Sequence, residues 1–319
     1  MLEAETVVER RQLRRRLSLW RLLAVLFALL LVVALTSSAL APFGTGGVLP
    51  HIARVPVHGL ITEDRKLSDF FERVAKAPHV KAVILDVDSP GGTTTGGEAM
   101  YNAIRRLAEK KPVVAVCGTM ATSAAYLAAL ATERIFVYGN TVTGSVGVVM
   151  QWPDVTELLA SIGVKVEEVK SGPLKGTPDP FQPTDPQERA LVQEMVEDAK
   201  SWFVKLVAER RRLSPQNVPG LTDGRIFSGR QAVSLKLVDE IGDERAAKAW
   251  LEKERGVAAG LSVVEWKPAS EGIGLFDWFF GAIAAALGPS AEGAAALLGA
   301  FGAGLKLDGL ISLWHPANG

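Results

Sequence analysis

The chemistry that this chain offers centres on Ser123, which stands between two apolar patterns. An uninterrupted run at 113–117 predicts a buried strand before it, and the alanine-rich residues 124–131 predict a helix after it. A serine at such a turn lies at the rim of a sheet, where open α/β sheets place their active clefts. It can act as a nucleophile, or it can cap the helix, because serine is a favoured N-cap residue. Position alone leaves both interpretations open.

A nucleophilic serine needs a base within hydrogen-bonding reach. None of the four histidines lies in a glycine-rich or strand-end setting. They are His51, His58, His79 and His315. A lysine can replace histidine as the base, provided that burial lowers the pKa of its amine. The loop at 169–178 offers two such candidates among glycines and prolines, Lys170 and Lys175.

Two further strand-end turns carry groups that a serine nucleophile could use. Asp88-Ser89-Pro90-Gly91-Gly92 follows the apolar strand pattern at 80–87. Adjacent glycines can direct bare backbone N–H groups at a developing oxyanion, although a plain glycine turn is the alternative. Thr143-Gly144-Ser145 is a second turn with an available hydroxyl.

The elements that must position these residues alternate between strand and helix patterns. Strand patterns cover 52–61, 80–87, 113–117, 135–138 and 164–169. Helix patterns cover 67–77, 95–110, 124–131 and 153–162. A longer helix has Asp185 as its N-cap, Pro186 at its first position and Glu188 in a capping box, and it runs to about Arg212. This order predicts an α/β fold with a parallel sheet covered on both faces, and Pro56 predicts an edge position for the first strand.

The amino-terminal region is predicted to anchor the chain in a membrane. Residues 22–41 carry no charge, and a helix of this length matches the hydrocarbon thickness of a bilayer. The six arginines in residues 1–21 predict that this tail stays in the cytoplasm and that the rest of the chain lies outside. Ala39-Leu40-Ala41 also fits a signal-peptide cleavage site, but Pro42 would then follow the cut, so the uncleaved anchor is favoured.

Composition narrows the partners of the remaining chain. The formal net charge is zero, and without the arginine-rich tail no basic stripe is left to bind nucleic acid. Cys117 is the only cysteine and lies in an apolar pattern, so it is expected to be structural. Without clusters of cysteine, histidine and glutamate, we expect neither a metal site nor a cofactor. Residues 42–53 are predicted to be a linker. Residues 267–319 are predicted to be an Ala/Gly-rich hydrophobic tail that forms an interfacial helix or a subunit contact, with a low-complexity tail as the alternative.

These segments together resemble the signal peptide peptidase A family, also called protease IV. Its members are membrane-anchored Ser/Lys proteases with a crotonase-like or ClpP-like fold. The resemblance covers residues 54–266 and includes the signature Asp223-Gly224-Arg225-Ile226-Phe227-Ser228-Gly229-Arg230. It implies that Ser123 is the nucleophile, Lys175 the general base, and Ser145 the residue that orients the lysine amine. The implied oxyanion-hole residues are Gly91, Gly92 and Ala124.

The sequence departs from the family pattern in two places. Ala124 and Ala125 follow the serine where the family commonly has two glycines, and alanine is compatible with a helical turn. Asp88 replaces an asparagine, which places a charge near the expected oxyanion.

The resemblance further implies a ring-shaped homo-oligomer in which Ser123 of one subunit meets Lys175 of its neighbour. The expected function is the degradation of hydrophobic peptides, in particular remnant signal peptides, outside the bacterial inner membrane, with the amino terminus in the cytoplasm. Two alternatives stay open. One is a crotonase-type acyl-CoA hydratase or isomerase, and the other is a catalytically inactive membrane-anchored scaffold of the same fold.

Overall fold

The computed structural model describes residues 20–21, 49–268 and 311–313. The chain divides into two units, 1–45 and 46–319, and the described residues of the first, 20 and 21, are helical. The predicted anchor at 22–41 and most of the predicted tail therefore lie outside the described residues. Within the described ranges, no helix combines the length and the apolar character needed to cross a bilayer.

In the described part of the chain, nine strands form one sheet. They are β1 (His51–Ile61), β2 (Val80–Thr93), β3 (Val113–Thr122), β4 (Arg134–Val137), β5 (Val142–Gly144), β6 (Ile226–Ser228), β7 (Glu240–Ile241), β8 (Ser262–Glu265) and β9 (Ile311–Leu313). The main strand order is β6-β5-β3-β2-β1-β8, while β4 pairs with β3 and β7, and β9 pairs with β2. The pairs β5–β6 and β2–β9 are antiparallel and the other pairs are parallel, so the α/β prediction is confirmed but the sheet is mixed and only mostly parallel.

Helices connect the strands and cover the sheet. They are α1 (Arg65–Lys76), α2 (Thr94–Ala108), α3 (Ala124–Leu130), α4 (Thr156–Ser161), α5 (Pro186–Arg211), α6 (Gly229–Ser234) and α7 (Glu244–Arg255). Helix α5 begins as its sequence predicts. The side chain of Asp185 accepts a backbone hydrogen bond, Pro186 is the first helical residue, and Glu188 closes the capping box.

Both faces of the sheet are buried, because successive residues of a strand point to opposite sides. Leu85 and Ala115 belong to the larger core with α1, α2, α3 and α5. Their neighbours Ile84 and Val114 belong to a smaller core with α7 on the other face. Burial on both sides explains why these strands are continuous apolar runs in the sequence. Cys117 lies in the larger core, where burial raises the pKa of its thiol to about 12, in agreement with a structural role.

The prediction that β1 is an edge strand is wrong, since β1 lies between β2 and β8. Strand β8 pairs only with His51–Arg54. Pro56 therefore lies beyond the last β8 partner, and no β8 residue is paired with it. A proline has no N–H to donate. It is tolerated here because no β8 residue needs that hydrogen bond, as on an edge strand.

The predicted strand at 164–169 is also absent. Residues 163–185 contain neither helix nor strand, and the preceding helix α4 is shorter than the predicted 153–162. The valines that created the alternating pattern, Val164, Val166 and Val169, are exposed. Alternation favours a strand only where a neighbouring strand edge is available to bond with it, and no described strand lies against this segment.

Tyr126 ties helix α3 to the distant segment that follows α6. Its ring is fully buried, its hydroxyl donates to the carbonyl oxygen of Leu237 at 2.7 Å, and burial raises the pKa of that hydroxyl.

We expect Tyr126→Phe to lower the free energy of unfolding by about 1–3 kcal/mol, because the buried carbonyl of Leu237 loses its hydrogen-bond donor. Denaturant unfolding measures the change. The matched control is Tyr138→Phe. Tyr138 is 50% exposed, and its substitution should change stability by less than about 0.5 kcal/mol. If the two variants lost equal free energy of unfolding, the hydrogen bond from Tyr126 to Leu237 would not be the cause.

Candidate active site

Ser123 occupies a strained turn between β3 and α3. Its backbone φ is 58° and its ψ is −120°, a conformation that residues other than glycine rarely adopt. Its backbone N–H donates to the carbonyl of Gly144 at 2.9 Å, and the residue is only 1% exposed. Although Ser123 stands at the N-cap position of α3, its side chain makes no capping hydrogen bond. The capping interpretation is therefore not supported, and strain of this kind is typical of functional sites.

Ser145 lies beside Ser123 at the same edge of the sheet. Strands β3 and β5 are parallel, and their register ends with Thr122 opposite Gly144, so the residue that follows each strand is a serine. Ser145 has a positive φ of 53°, and its N–H donates to the carbonyl of Arg225 at 2.9 Å. The structure thus brings together two serines that lie in different motifs of the sequence.

The turn formed by residues 88–92, called the glycine turn below, lies next to this pair of serines. It does so because β2 continues beyond the last residue that pairs with β3. The last β2–β3 partners are Ser89 and Ala121. Immediately beyond them, the hydroxyl of Thr122 donates to the carbonyl of Pro90 at 3.0 Å. This bond joins the glycine turn to the residue that precedes Ser123.

Ser89 fixes the shape of the turn, a role that the sequence alone did not reveal. Its buried hydroxyl donates to the carbonyl of Gly59 at 2.6 Å and accepts the N–H of Gly91 at 3.1 Å. Gly91 has a φ of 109°, which only glycine adopts readily. A Cβ on Gly92 would overlap the backbone of Ile61, so both glycines are required by the geometry. Because Gly91 donates to Ser89, the geometry favours Gly92 as the oxyanion donor from this turn.

Two of the residues that differ from the family pattern, Asp88 and Ala124, each contact a neighbouring element of the fold. The carboxylate of Asp88 accepts the backbone N–H of Met120 at 3.0 Å, so it holds the end of β3. Ala124 is fully buried against α2, where a Cβ added to Gly97 would lie 2.9 Å from the Cβ of Ala124. The methyl group of Ala124 therefore fits because α2 carries a glycine at that contact.

The two candidate lysines lie in the irregular segment 163–185 and differ in their surroundings. The ammonium of Lys170 donates to Glu168 at 3.0 Å, and this hydrogen bond raises the pKa of Lys170, the opposite of what a base requires. Lys175 is exposed, and its backbone N–H donates to the carbonyl of Gly172 at 3.1 Å. A single chain therefore groups Ser123 and Ser145 with the glycine turn and leaves Lys175 in solvent.

A cavity of about 320 Å³ adjoins the glycine turn and the turns at Ser123 and Ser145. Its lining includes residues just after each of them: Thr94 and Thr95 after the glycine turn, Leu127 after Ser123, and Val148 after Ser145. Helix α5 closes the cavity with Trp202 and Phe203, and the carboxyl groups of Glu98 and Asp198 also line it. The cavity has the size needed to bind one side chain of a peptide beside Ser123, and its walls are about equally polar and apolar.

The described histidines do not contribute to this site. His51 is buried at the start of β1, where its Nε2 accepts the indole N–H of Trp266 at 2.9 Å and its ring packs against His79. These residues lie at the amino ends of β1 and β2, whereas Ser123 follows the carboxyl end of β3. His58 pairs with Asp86 at an exposed position, and His315 lies outside the described residues.

Comparison with known proteins gives the following similarities. Residues 105–258 match the family model described as peptidase family S49. A Synechocystis protein named "Putative protease slr0021" is 34% identical over 200 residues, which cover 62% of this chain and 72% of the relative. "Protease 4" of Haemophilus influenzae is 32% identical over 229 residues, 67% of this chain and 37% of the relative. A solved structure of a ClpP1 mutant from Listeria monocytogenes is 18% identical, with a TM-score of 0.41 over 60% of this chain and 92% of that chain.

Proposed function

Since the chain belongs to peptidase family S49, the signal peptide peptidase A family, we propose that it is a membrane-anchored serine endopeptidase that degrades hydrophobic peptides. Family membership supports a protease. The serine mechanism, the lysine base, the substrates and the membrane topology belong to the proposal.

The observation that carries the proposal is the backbone of Ser123. A buried serine at positive φ, with no capping bond, stands beside Ser145 at the carboxyl ends of parallel strands. The glycine turn is hydrogen-bonded to the residue before Ser123, and a cavity with both polar and apolar walls adjoins it. These are the parts that acyl transfer requires: a nucleophile, donors for an oxyanion, and a place for the substrate.

The proposed reaction has two stages, with Lys175 acting as base and acid in turn. The neutral amine of Lys175 takes the proton of the Ser123 hydroxyl, and the oxygen attacks the peptide carbonyl carbon. Backbone N–H groups of Gly92 and Ala124 stabilise the tetrahedral oxyanion. When it collapses, the C–N bond breaks and the lysinium protonates the leaving amine. Water, deprotonated by Lys175, then attacks the acyl-enzyme. As the acyl C–O bond breaks, the lysinium returns the proton to the Ser123 oxygen, which frees Ser123 and a carboxylic acid product.

The exposed position of Lys175 supports a shared active site in this proposal. A lysine base must be desolvated to lose its proton near neutral pH, and a single chain leaves Lys175 in water. A neighbouring copy in a ring-shaped oligomer supplies both the burial and the approach to Ser123 and Ser145. Lys170 is the poorer candidate because it is already paired with Glu168.

The proposed substrates are remnant signal peptides outside the bacterial inner membrane. The side chains of Leu127, Val148, Trp202 and Phe203 in the cavity support apolar peptides. The uncharged segment at 22–41 supports a membrane anchor with the amino terminus in the cytoplasm and the peptidase domain on the extracytoplasmic side.

Labelling of the full chain with a serine-directed peptidyl phosphonate tests the proposal. We expect one stoichiometric adduct, located at Ser123 by mass spectrometry, and loss of peptide hydrolysis in proportion to labelling. The matched control is Ser161→Ala, which removes an exposed hydroxyl and should label normally. Acyl-CoA turnover that survives Ser123→Ala would favour the crotonase-type alternative. A chain that is neither labelled nor active on peptides would favour the scaffold.

A further inference from the structure

A second cavity, of about 410 Å³, lies in the region that holds the signature segment, and the proposed mechanism does not use it. Its lining includes Arg225, Phe227 and Arg230 from the signature, with Pro219 and Leu235 beside them. It shares no lining residue with the cavity at Ser123, and its volume is typical of small-molecule sites. We call it the arginine cavity.

Strand β6 and the start of α6 bring the two arginines to this cavity. Arg225 directly precedes β6, Phe227 is the middle residue of that strand, and Arg230 is the second residue of α6. The antiparallel pairing with β5 holds β6, and the carbonyl of Arg225 accepts the N–H of Ser145 at 2.9 Å. The backbone beneath the arginine cavity is therefore fixed to the sheet.

Neutral groups hold the two arginine side chains in place. The guanidinium of Arg225 lies over the ring of Phe227, 5.3 Å from its centroid. The guanidinium of Arg230 donates to the side-chain oxygen of Asn140, and it occupies space that a Cβ on Gly139 would fill. These contacts orient both guanidinium groups and neutralise neither.

The charge of the two arginines is left uncompensated in the described part of the chain. No carboxyl group lines the arginine cavity. Neither Arg225 nor Arg230 forms a salt bridge with a described residue, whereas Arg211 is paired with Asp239 at 2.8 Å. The cavity therefore attracts an anion.

The walls of the arginine cavity are mostly apolar, with the side chains of Pro219, Phe227 and Leu235 among them. Such walls favour an apolar chain, because binding removes its surface from water. The planar fork of a guanidinium matches the two oxygens of a carboxylate. A ligand that satisfies both features has a carboxylate at one end of an apolar chain.

We infer that the arginine cavity is a second binding site, for short ligands that carry a carboxylate on an apolar chain. The carboxyl terminus of an apolar peptide and a free fatty acid share this chemistry. The inference goes beyond the proposed function, since no side chain that lines the cavity takes part in the proposed reaction.

Amide hydrogen exchange of residues 225–235, measured over a range of ligand concentrations, tests the inference. The full chain carries Ser123→Ala, so that no peptide is consumed and the result does not depend on hydrolysis. The probes are N-acetyl-trileucine with a free carboxylate, its carboxamide, and octanoate. We expect the carboxylate probes to slow exchange in this segment with saturation. The carboxamide should bind at least about tenfold more weakly, because it lacks the charge.

Arg225→Gln combined with Arg230→Gln should raise the Kd of the carboxylate probes about tenfold, since two partly exposed ion pairs are lost. The matched control is Arg189→Gln with Arg245→Gln, which removes two exposed arginine charges outside the cavity and should keep the original Kd. Thermal unfolding shows whether each variant folds. If the cavity variant does not fold, the comparison of acid with carboxamide in the chain that keeps both arginines decides the question.

The outcomes separate the two sources of the ligand. Binding of the tripeptide acid alone would support a site for peptide carboxyl termini, binding of octanoate alone would support a site for fatty acids, and binding of both would support recognition of the shared chemistry. Equal Kd values for acid and carboxamide, equal Kd values in the two double variants, or slowing confined to segments outside 225–235 would overturn the inference.

Discussion

Ser123→Ala is expected to lower kcat for peptide hydrolysis by at least about 10⁴-fold, because the variant lacks the oxygen that the proposed mechanism acylates. The residue it replaces lies at the end of β3 beside Ser145 and the glycine turn. Its backbone stays in place, since the Ser123 N–H bonds to Gly144 whatever the side chain is. The variant should therefore fold, bind substrate and fail to turn it over. Steady-state kinetics and thermal unfolding measure the two properties separately.

The control for this variant is Ser161→Ala, which removes an exposed hydroxyl that donates only to the carbonyl of Leu158. It should keep wild-type kcat and KM. If Ser123→Ala retained a tenth of wild-type kcat while unfolding normally, Ser123 would not be the nucleophile.

Chains with Ser123→Ala and chains with Lys175→Ala are each expected to be inactive, and co-assembly of the two should restore activity. In a shared site, one chain supplies the serine and its neighbour the lysine. Random mixing in equal amounts joins an intact serine to an intact lysine at one interface in four, so the mixture should reach about a quarter of wild-type kcat. The two inactive proteins are unfolded, refolded together and assayed at equal total concentration.

A dyad within one chain predicts no recovery on mixing, because no chain of the mixture then has both groups. Lys170→Ala is the matched control for Lys175→Ala. It lies five residues away in the same irregular segment, but its ammonium is paired with Glu168 and should be dispensable for kcat. Equal loss in both lysine variants would mean that the segment, and not the Lys175 amine, is what the activity requires.

The same mechanism sets the direction of the pH dependence. Only the uncharged amine of a lysine can accept the serine proton, so its active fraction grows as the pH rises. Activity should increase as the pH rises from about 6 to about 9. A flat profile would argue against a lysine base.

The sequence by itself determined the α/β class and showed that the candidate site lies at the carboxyl ends of the strands. Strands buried on both faces must be continuous apolar runs, and the runs at 80–87 and 113–117 predict the two central strands for that reason. The start of α5 at Asp185 follows from a local capping box, which depends only on residues within one turn. Ser123 and the glycine turn could be identified because each directly follows such a run.

Only the tertiary structure decided which of these elements are neighbours. Periodicity reports how each residue is buried, but it does not say which strand edge lies beside which. For that reason the sequence placed β1 at an edge and a strand at 164–169, and it missed both the bond from Ser89 to Gly59 and the pairing of β9 with Gly91–Thr93. The sequence could not predict the surroundings of Lys175 for the same reason. A base must be desolvated by groups far away in the sequence, and this chain, taken alone, leaves its lysine exposed.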